Sequence, residues 1–519
     1  MSIRGTDGRD QPSSSPVTGL NRRTGASDNY SGLPAKDLQL PTTRAVTPAR
    51  DQTGPVHQLS PLDLQLLDAE SSDNPLHIGA VTILQPDTNP LHITVLRELI
   101  AARLHLVTPL RRRLRTVPLG LDLPYWQECS SIDLRYHVRA IALMPQADEQ
   151  QFADLIARLH VVPLDRSRPL WTCHLISGLP DGRQALYTKI HHAVIDGISA
   201  AEIMAAFFDV TPDPESTSVP DDAERSSRTP TTLEMLATSI PNALFRQATR
   251  ARALLSVGPT LLRAANTTRK KHPDLPFNEP NTPERSFAYV SLSLDEVKTI
   301  KRTVDGTVND VVMTLCTTAL RRWLVDHGLP TDRPLLSAIP VSVREPEQYG
   351  TAGNQFSVML CELPVNEPEP AVRLKLVRDN MLAAKASFHA APSRLLHEAS
   401  TLLSPLLHGI HARTLLRIAA PVLPLANVII SNVPGPQIPL YVAGIPVIAN
   451  YPASLLTDLS GGINITVMSY DGRLDFGIIA CSDTVPHTGT LAHHLRAALA
   501  ELSGTPTPPL PTCSSSGNC

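Results

Sequence analysis

His191-His192-Ala193-Val194-Ile195-Asp196-Gly197 is the stretch on which the reading of this chain turns. It follows Gln184-Ala185-Leu186-Tyr187-Thr188-Lys189-Ile190, which reads as a strand, and precedes an alanine-rich segment, Ile198 to Phe208, which reads as a helix. Successive side chains of a strand point to opposite faces. Leu186, Thr188, Ile190 and His192 therefore share one largely apolar face, and Tyr187, Lys189 and His191 a more polar one. With the apolar face inward, His192 projects into the interior and His191 toward polar surroundings. A buried neutral imidazole is suited to taking a proton near neutral pH. Asp196, in the turn, is placed to fix the loop through a charge-assisted bond to an arginine or to backbone amides. Arg135, Arg139 and Arg344 are the candidate arginines.

Two other readings of the same residues stand beside this one. A histidine on an inward strand face is commonly a satisfied core residue. His191, His192 and Asp196 are also competent metal ligands, but imidazoles on opposite faces do not converge on one ion, and no nearby cluster completes a coordination shell. No metal is expected.

Working outward, the 519 residues contain 46 basic and 49 acidic side chains, a net charge of −3, which leaves no electrostatic footprint for bulk nucleic-acid binding. Hydrophobic residues make up 42%, enough for a sizeable core. No apolar run reaches the roughly 20 residues of a membrane-spanning helix, and the longest candidate, Ile418 to Ile430, is broken by Pro421, Pro424 and Asn427. The polar start, Met1-Ser2-Ile3-Arg4, lacks the apolar stretch of a signal peptide, so a cytoplasmic location is expected. Seven scattered cysteines, among them Cys129, Cys173, Cys316, Cys361 and Cys481, show no metal-ligand spacing.

Much of the excess of proline, 48 residues, lies in tails and joints. Residues 1–54 and 505–519 read as disordered because they cannot bury enough apolar surface to offset their ordering entropy. Between them the expected order is a domain over 55–215 carrying the His-His segment, a loop, basic helix and crossover linker over 216–285, and a second domain over 286–504. The linker includes Asn242 to Lys271, whose Arg246, Arg250, Arg263, Lys270 and Lys271 lie among apolar residues. It suits either a membrane surface or an interdomain helix packed on the protein. Val308 to Asp326 reads as a helix stopped at Gly328; Val428 to Ser431 and Ile463 to Met468 read as strands. The mixture of short strands and helices is α/β or α+β.

Several motifs, in order, carry a resemblance. They include Leu76-His77-Ile78-Gly79, Pro169-Leu170-Trp171, the His191–Gly197 segment, Thr307-Val308-Asn309-Asp310, Gly353-Asn354-Gln355, Asn432-Val433-Pro434-Gly435-Pro436 and Ser469-Tyr470-Asp471-Gly472. Over about residues 55–500 the chain resembles the bacterial wax ester synthase/diacylglycerol acyltransferases of the CoA-dependent acyltransferase superfamily. Leu76 stands where that family usually has Met.

The resemblance implies two chloramphenicol acetyltransferase-like domains with a substrate channel at their interface. It implies that His192 is the general base of a direct acyl transfer from a long-chain acyl-CoA to diacylglycerol or a fatty alcohol. Acyl-CoA is then a co-substrate, with no separate cofactor. His191 and Asp196 accompany the base, and Gly197 permits the turn. Asn309 matches an Asn-Asp pair near the catalytic centre, although its place at a helix start suits capping equally well. Trp171 either fills a core or lines the channel. Asn432 and Gly435 fall in a segment that the family places beside the substrate tunnel, where a rigid crossover loop is the plainer reading. A membrane or lipid-droplet surface is the implied workplace. Rival expectations are transfer to another alcohol, such as a polyketide or glycolipid hydroxyl, and a non-catalytic lipid-associated protein with the same fold.

Overall fold

The strand expected over 184–190 forms as Gln184–His191, and what packs on its two faces organises half the molecule. The computed structural model describes residues 58–86, 89–118, 122–145, 147–194, 200–213, 272–342, 356–390, 426–458 and 460–505. In chain order the first half carries α1 (Pro61–Ala69), β1 (His77–Leu84), α2 (Ile93–Arg103), the ribbon β2 (Arg112–Arg115) and β3 (Tyr125–Glu128), and α3 (Leu134–His137). It continues with β4 (Val138–Ala142), α4 (Glu149–Val161), β5 (Trp171–Ser177), β6 (Gln184–His191) and α5 (Ala200–Phe207). The second half carries β7 (Arg285–Ser293), α6 (Leu294–Thr303), α7 (Val308–Asp326), β8 (Leu335–Ser342), β9 (Phe356–Leu363) and α8 (Pro370–Ala390). It ends with β10 (Val428–Val433), β11 (Tyr441–Val442), β12 (Ile445–Ala453), β13 (Ile463–Tyr470), β14 (Arg473–Cys481) and α9 (Gly489–Ser503).

Among the described residues, two six-stranded sheets result, ordered β11-β12-β1-β6-β5-β4 and β7-β14-β13-β10-β8-β9. Both are mixed: β4 and β5 run parallel in the first, and β10 runs parallel to both β13 and β8 in the second. Both faces of β6 are covered. Leu186 and Ile190 pack with Leu96 and Ile100 of α2 and Met204 of α5. Ala185 and Tyr187 pack with Phe152 and Ile156 of α4. Burying a large aliphatic side chain in this way stabilises by about 1.5–3 kcal/mol.

The second half has its own core around Val311, Leu320, Trp323, Ile465 and Phe476. Its long helix α7 starts where the sequence places it, through a reciprocal cap. The Asp310 amide donates to Thr307 Oγ1 (3.2 Å), and the Thr307 amide donates to Asp310 Oδ2 (2.7 Å). Gly328, at φ +64°, follows its end.

The structure differs from a simple division at residue 286. Strands β11 and β12, deep in the second half of the chain, belong to the first sheet, where β12 pairs antiparallel with β1 from Gly79↔Ala453 to Leu84↔Val447. The reason is main-chain bonding. Strand β6 occupies only one edge of β1, and the other edge would expose unpaired amides and carbonyls. On its far side β12 meets the second sheet so closely that a Cβ on Gly477 of β14 would run into the carbonyl oxygen of Pro452.

Segments 1–54 and 506–519, residues 216–271 of the expected linker, Gly353-Asn354-Gln355, Arg344, Asp196 and Gly197 lie outside the described residues.

Candidate active site

The face of β6 that carries Leu186, Thr188, Ile190 and His192 forms part of the wall of a cavity of about 1280 Å³. The cavity lies between the two sheets: Ala80 and Thr82 of β1 line it from one side, and Pro340 of β8, Leu360 of β9 and Ser431 of β10 from the other. At the His192 end the lining is polar, with Ser72, Asp73, Asn74, Thr457 and Asp458. Away from it the lining is mainly apolar, with Leu99 and Ile100 of α2, Phe207 of α5, Phe208 and Val442.

His192 sits just beyond the end of β6, its backbone amide donating to the carbonyl of Leu76 (2.9 Å), so the antiparallel pairing with β1 continues one residue further. The imidazole is half-buried in the wall. Burial, aided by the neighbouring His191, lowers its pKa to about 4. It is therefore neutral at pH 7 and able to accept a proton.

His191 does point to the other face, but the polar surroundings it meets are buried rather than solvent. It is 1% exposed. The Ala193 amide donates to its Nδ1 (3.1 Å), which leaves the proton of the neutral ring on Nε2. That Nε2 lies 3.5 Å from Glu70 Oε1. The same carboxylate oxygen is 3.0 Å from Nε2 of His77, the residue opposite His191 in the β1–β6 register. Glu70 Oε2 accepts a charge-assisted bond from Arg166 (2.7 Å). Burial alone would raise the Glu70 carboxyl, but hydrogen bonding to His191 and His77 outweighs it and holds the group well below the usual carboxylate range.

Around this core, His77 Nδ1 lies 3.2 Å from the His160 carbonyl oxygen, and the Tyr187 hydroxyl bonds His160 Nδ1 (2.8 Å). Lys189 is pulled down to about 7 by burial and donates to the carbonyls of Leu159 and Val162, at the end of α4. The back of the His192 strand is thus braced by a buried polar cluster.

Trp171 is packed in the core and also borders the cavity. It is 2% exposed, donates from Nε1 to the Leu110 carbonyl (2.8 Å) and stacks on His137. Asn309 and Asn432 meet each other: Asn432 Nδ2 donates to Asn309 Oδ1 (3.1 Å). Ile429, Ser431 and Val433 of β10 line the cavity, so alternation turns Asn432 to the opposite face, toward the start of α7. Gly435 lies just past β10, where its amide donates to Ser469 Oγ (3.1 Å) and a Cβ would run into the Ser469 carbonyl. No side chain fits at this position without a shift of the backbone. Among the described residues, no group of three or more His, Cys, Asp or Glu side chains is arranged to hold a metal ion.

Comparison with known proteins fits this geometry. The family model "Wax ester synthase/diacylglycerol acyltransferase catalytic domain" matches residues 59–312, and "WS/DGAT C-terminal domain" matches 352–503. A Mycobacterium tuberculosis protein named a probable diacylglycerol O-acyltransferase is 33% identical over 456 residues, covering 86% of this chain and 98% of that protein. The chain belongs to the wax ester synthase/diacylglycerol acyltransferase family. A solved family structure, the wax ester synthase/diacylglycerol acyltransferase from Marinobacter aquaeolei VT8, is 28% identical with a TM-score of 0.65, over 86% of this chain and 99% of that one. The starter condensation domain of rhizomide synthetase shares the fold at 14% identity and a TM-score of 0.51, over 86% of this chain and 94% of that one. The two-domain, chloramphenicol acetyltransferase-like architecture is therefore that of this family member.

Within it, the sequence reading missed Glu70, His160 and the contribution of β12 to the wall. His77 stood in a quoted motif without a role. The register of β1 against β6, which puts His77 directly across from His191, is set by the fold and has no signal in the sequence.

Proposed function

We propose that this protein transfers a long-chain acyl group from acyl-CoA to a hydroxyl, making triacylglycerol from diacylglycerol and wax ester from a fatty alcohol. The observation that carries this reading is the neutral imidazole of His192, set in the wall of a largely apolar cavity between the two sheets. His192 takes the proton of the acceptor hydroxyl as its oxygen attacks the thioester carbonyl carbon. The tetrahedral intermediate then collapses, the C–S bond breaks, and the CoA thiolate recovers the proton from the imidazolium. Every atom is supplied by the two substrates and one base, so acyl-CoA serves as co-substrate with no further cofactor. General-base assistance contributes about 10²–10⁴ in rate.

Asp196 and Gly197, which follow the base in sequence, and Asn309, Asn432 and Gly435, at the second sheet, complete the proposed site. No helix among the described residues is long and apolar enough to cross a membrane. We place the reaction on the cytoplasmic side, at a membrane or lipid-droplet surface where both apolar substrates concentrate.

The test is transfer of labelled palmitoyl group from palmitoyl-CoA to dioleoylglycerol and to hexadecanol, with His192→Ala as control. Wild type is expected to form labelled triacylglycerol or wax ester, and the variant to lose at least about a hundredfold while remaining folded. Because the His192 pKa is lowered, kcat/KM is expected to stay level from pH 8 to 6 and to fall only as the pH approaches about 4. An unchanged rate in the variant would remove His192 as the base. CoA release with neither lipid product would point to another alcohol, and a folded wild type without turnover to a non-catalytic role.

A further inference from the structure

The apolar limb of the cavity contains a polar side chain that the reaction at His192 does not use. Asn450 of β12 is 1% exposed and lines the cavity. Its Oδ1 accepts from Thr82 Oγ1 (3.4 Å), and its backbone amide is held by Asp475 Oδ2 (2.7 Å). Its side-chain Nδ2 faces only sulfur among its hydrogen-bond partners: Met204 Sδ at 3.4 Å and Met468 Sδ at 3.6 Å. The amide orientation follows from those neighbours, since the reverse would set the lone pairs of Oδ1 against those of two thioethers. Thioethers are weak acceptors on flexible side chains. An amide donor so placed is poorly satisfied, and an oxygen entering the cavity would displace the sulfurs.

Register gives the position of this donor relative to the chemistry. Asn450 pairs with Thr82, and Thr82 with Leu186, so the three form one row across the cavity floor. Leu186 is six residues before His192 on the same face of the strand, a separation of roughly 20 Å at the rise of an antiparallel strand. The donor therefore lies far from the reacting thioester and from the ester groups next to an acceptor hydroxyl. It is level with the distal part of a long hydrocarbon chain whose reacting end is at His192.

We infer that Asn450, oriented by Thr82, is a specificity-determining residue that recognises an oxygen function, hydroxyl or keto, carried in the distal part of a substrate chain. The inference rests on the acyltransferase reading for the position of the reacting end. The oxygenated chain belongs either to the acyl donor or to the acceptor, and one experiment separates the two.

In the donor arm, wild type and Asn450→Leu are offered octadecanoyl-CoA and its 10-, 12- and 14-hydroxy derivatives, with dioleoylglycerol as acceptor. In the acceptor arm, octadecanoyl-CoA is offered with distearoylglycerol or the diacylglycerol of 12-hydroxyoctadecanoate. Binding of each acyl-CoA without acceptor, and of each diacylglycerol without donor, is measured alongside. The readout is the ratio of hydroxylated to plain chain within each protein. Wild type is expected to favour at least one hydroxylated chain by about tenfold, the worth of one good hydrogen bond, and Asn450→Leu to lose that preference.

A preference confined to one arm identifies which substrate occupies the limb. Equal treatment of hydroxylated and plain chains by wild type in both arms overturns the assignment, while any transfer seen leaves the acyltransferase reading intact. A preference in binding that Asn450→Leu removes, with no transfer by wild type, sustains the recognition site and sinks the reaction. A preference retained in Asn450→Leu also overturns it. Thr82→Val, nearly isosteric, provides the same comparison by releasing the amide if Asn450→Leu does not fold.

Discussion

At His191 a single backbone bond, from the amide of Ala193 to Nδ1, decides which ring nitrogen faces Glu70. Glu70 in turn joins α1 to β1, β6 and Arg166, so its charge is a point on which four parts of the chain converge. Its carboxyl is held below the ordinary Glu value of 4.5. A depressed folded-state pKa contributes stability above the unfolded value and loses it as the pH falls toward the folded one. Wild type should therefore weaken progressively below about pH 4.5 through this group. In Glu70→Gln that contribution is absent throughout, and about 1–3 kcal/mol should be missing at pH 7, because Gln keeps one acceptor oxygen and sets its NH2 against either the histidine pair or Arg166. Urea melts at pH 7 and pH 4 check this: the gap between the two proteins should narrow in acid, and a constant gap would show that the charge of Glu70 is not what stabilises. The opposite faces of His191 and His192 were legible from strand alternation. Glu70 was not, because its approach depends on how β1 registers against β6, a pairing between residues more than a hundred apart in sequence.

Among the elements, β12 has the most unusual position, since it completes the first sheet, contributes Asn450 and Pro452 to the cavity wall, and abuts β14 of the second sheet. Gly477 makes that last contact possible because it has no Cβ to meet the Pro452 carbonyl. Gly477→Ala is expected to force the two strands apart, at about 1–3 kcal/mol of stability for overpacking. It should also reduce acyl transfer, because the displaced strand is part of the wall. Chemical denaturation and turnover measured on one preparation would check both, and a variant as stable and active as wild type would mean that the sheets give way at no cost.

Several elements were readable in advance. The ends of α7 follow from Thr307, Asp310 and Gly328, β6 from its alternating side chains before the His-His pair, and β13 from its run of β-branched residues. The membership of β12 in the first sheet was not, since its apolar sequence suits either sheet and only the open edge of β1 selects one. Asn309 shows the same limit: its place at the start of a helix was clear from sequence, but the face of β10 that it would meet was not.

Over the whole molecule, the cavity exists only where the two sheets oppose each other, and β11–β12 tie the sheets together. The first domain should therefore not stand alone. A fragment of residues 58–213 lacks β12 and leaves the inner edge of β1 unpaired, and such an edge invites pairing with other chains. It is expected to emerge from size-exclusion chromatography as aggregate, whereas residues 58–505 run as a defined species; a monomeric, cooperatively folding fragment would refute this. The two-domain organisation was legible from the order of the motifs, but the exchange of a strand between halves leaves no periodic trace in composition or hydropathy. That exchange also has a consequence in time. On the ribosome, β1 and β6 are complete about 260 residues before the last residue of β12 has been added, an interval of roughly 10–50 s at ordinary elongation rates. Throughout it the sheet that bears His192 has an unfinished border. A cell making this protein must shelter that border during synthesis, and slowing translation between residues 191 and 453 would lengthen the exposure rather than help folding.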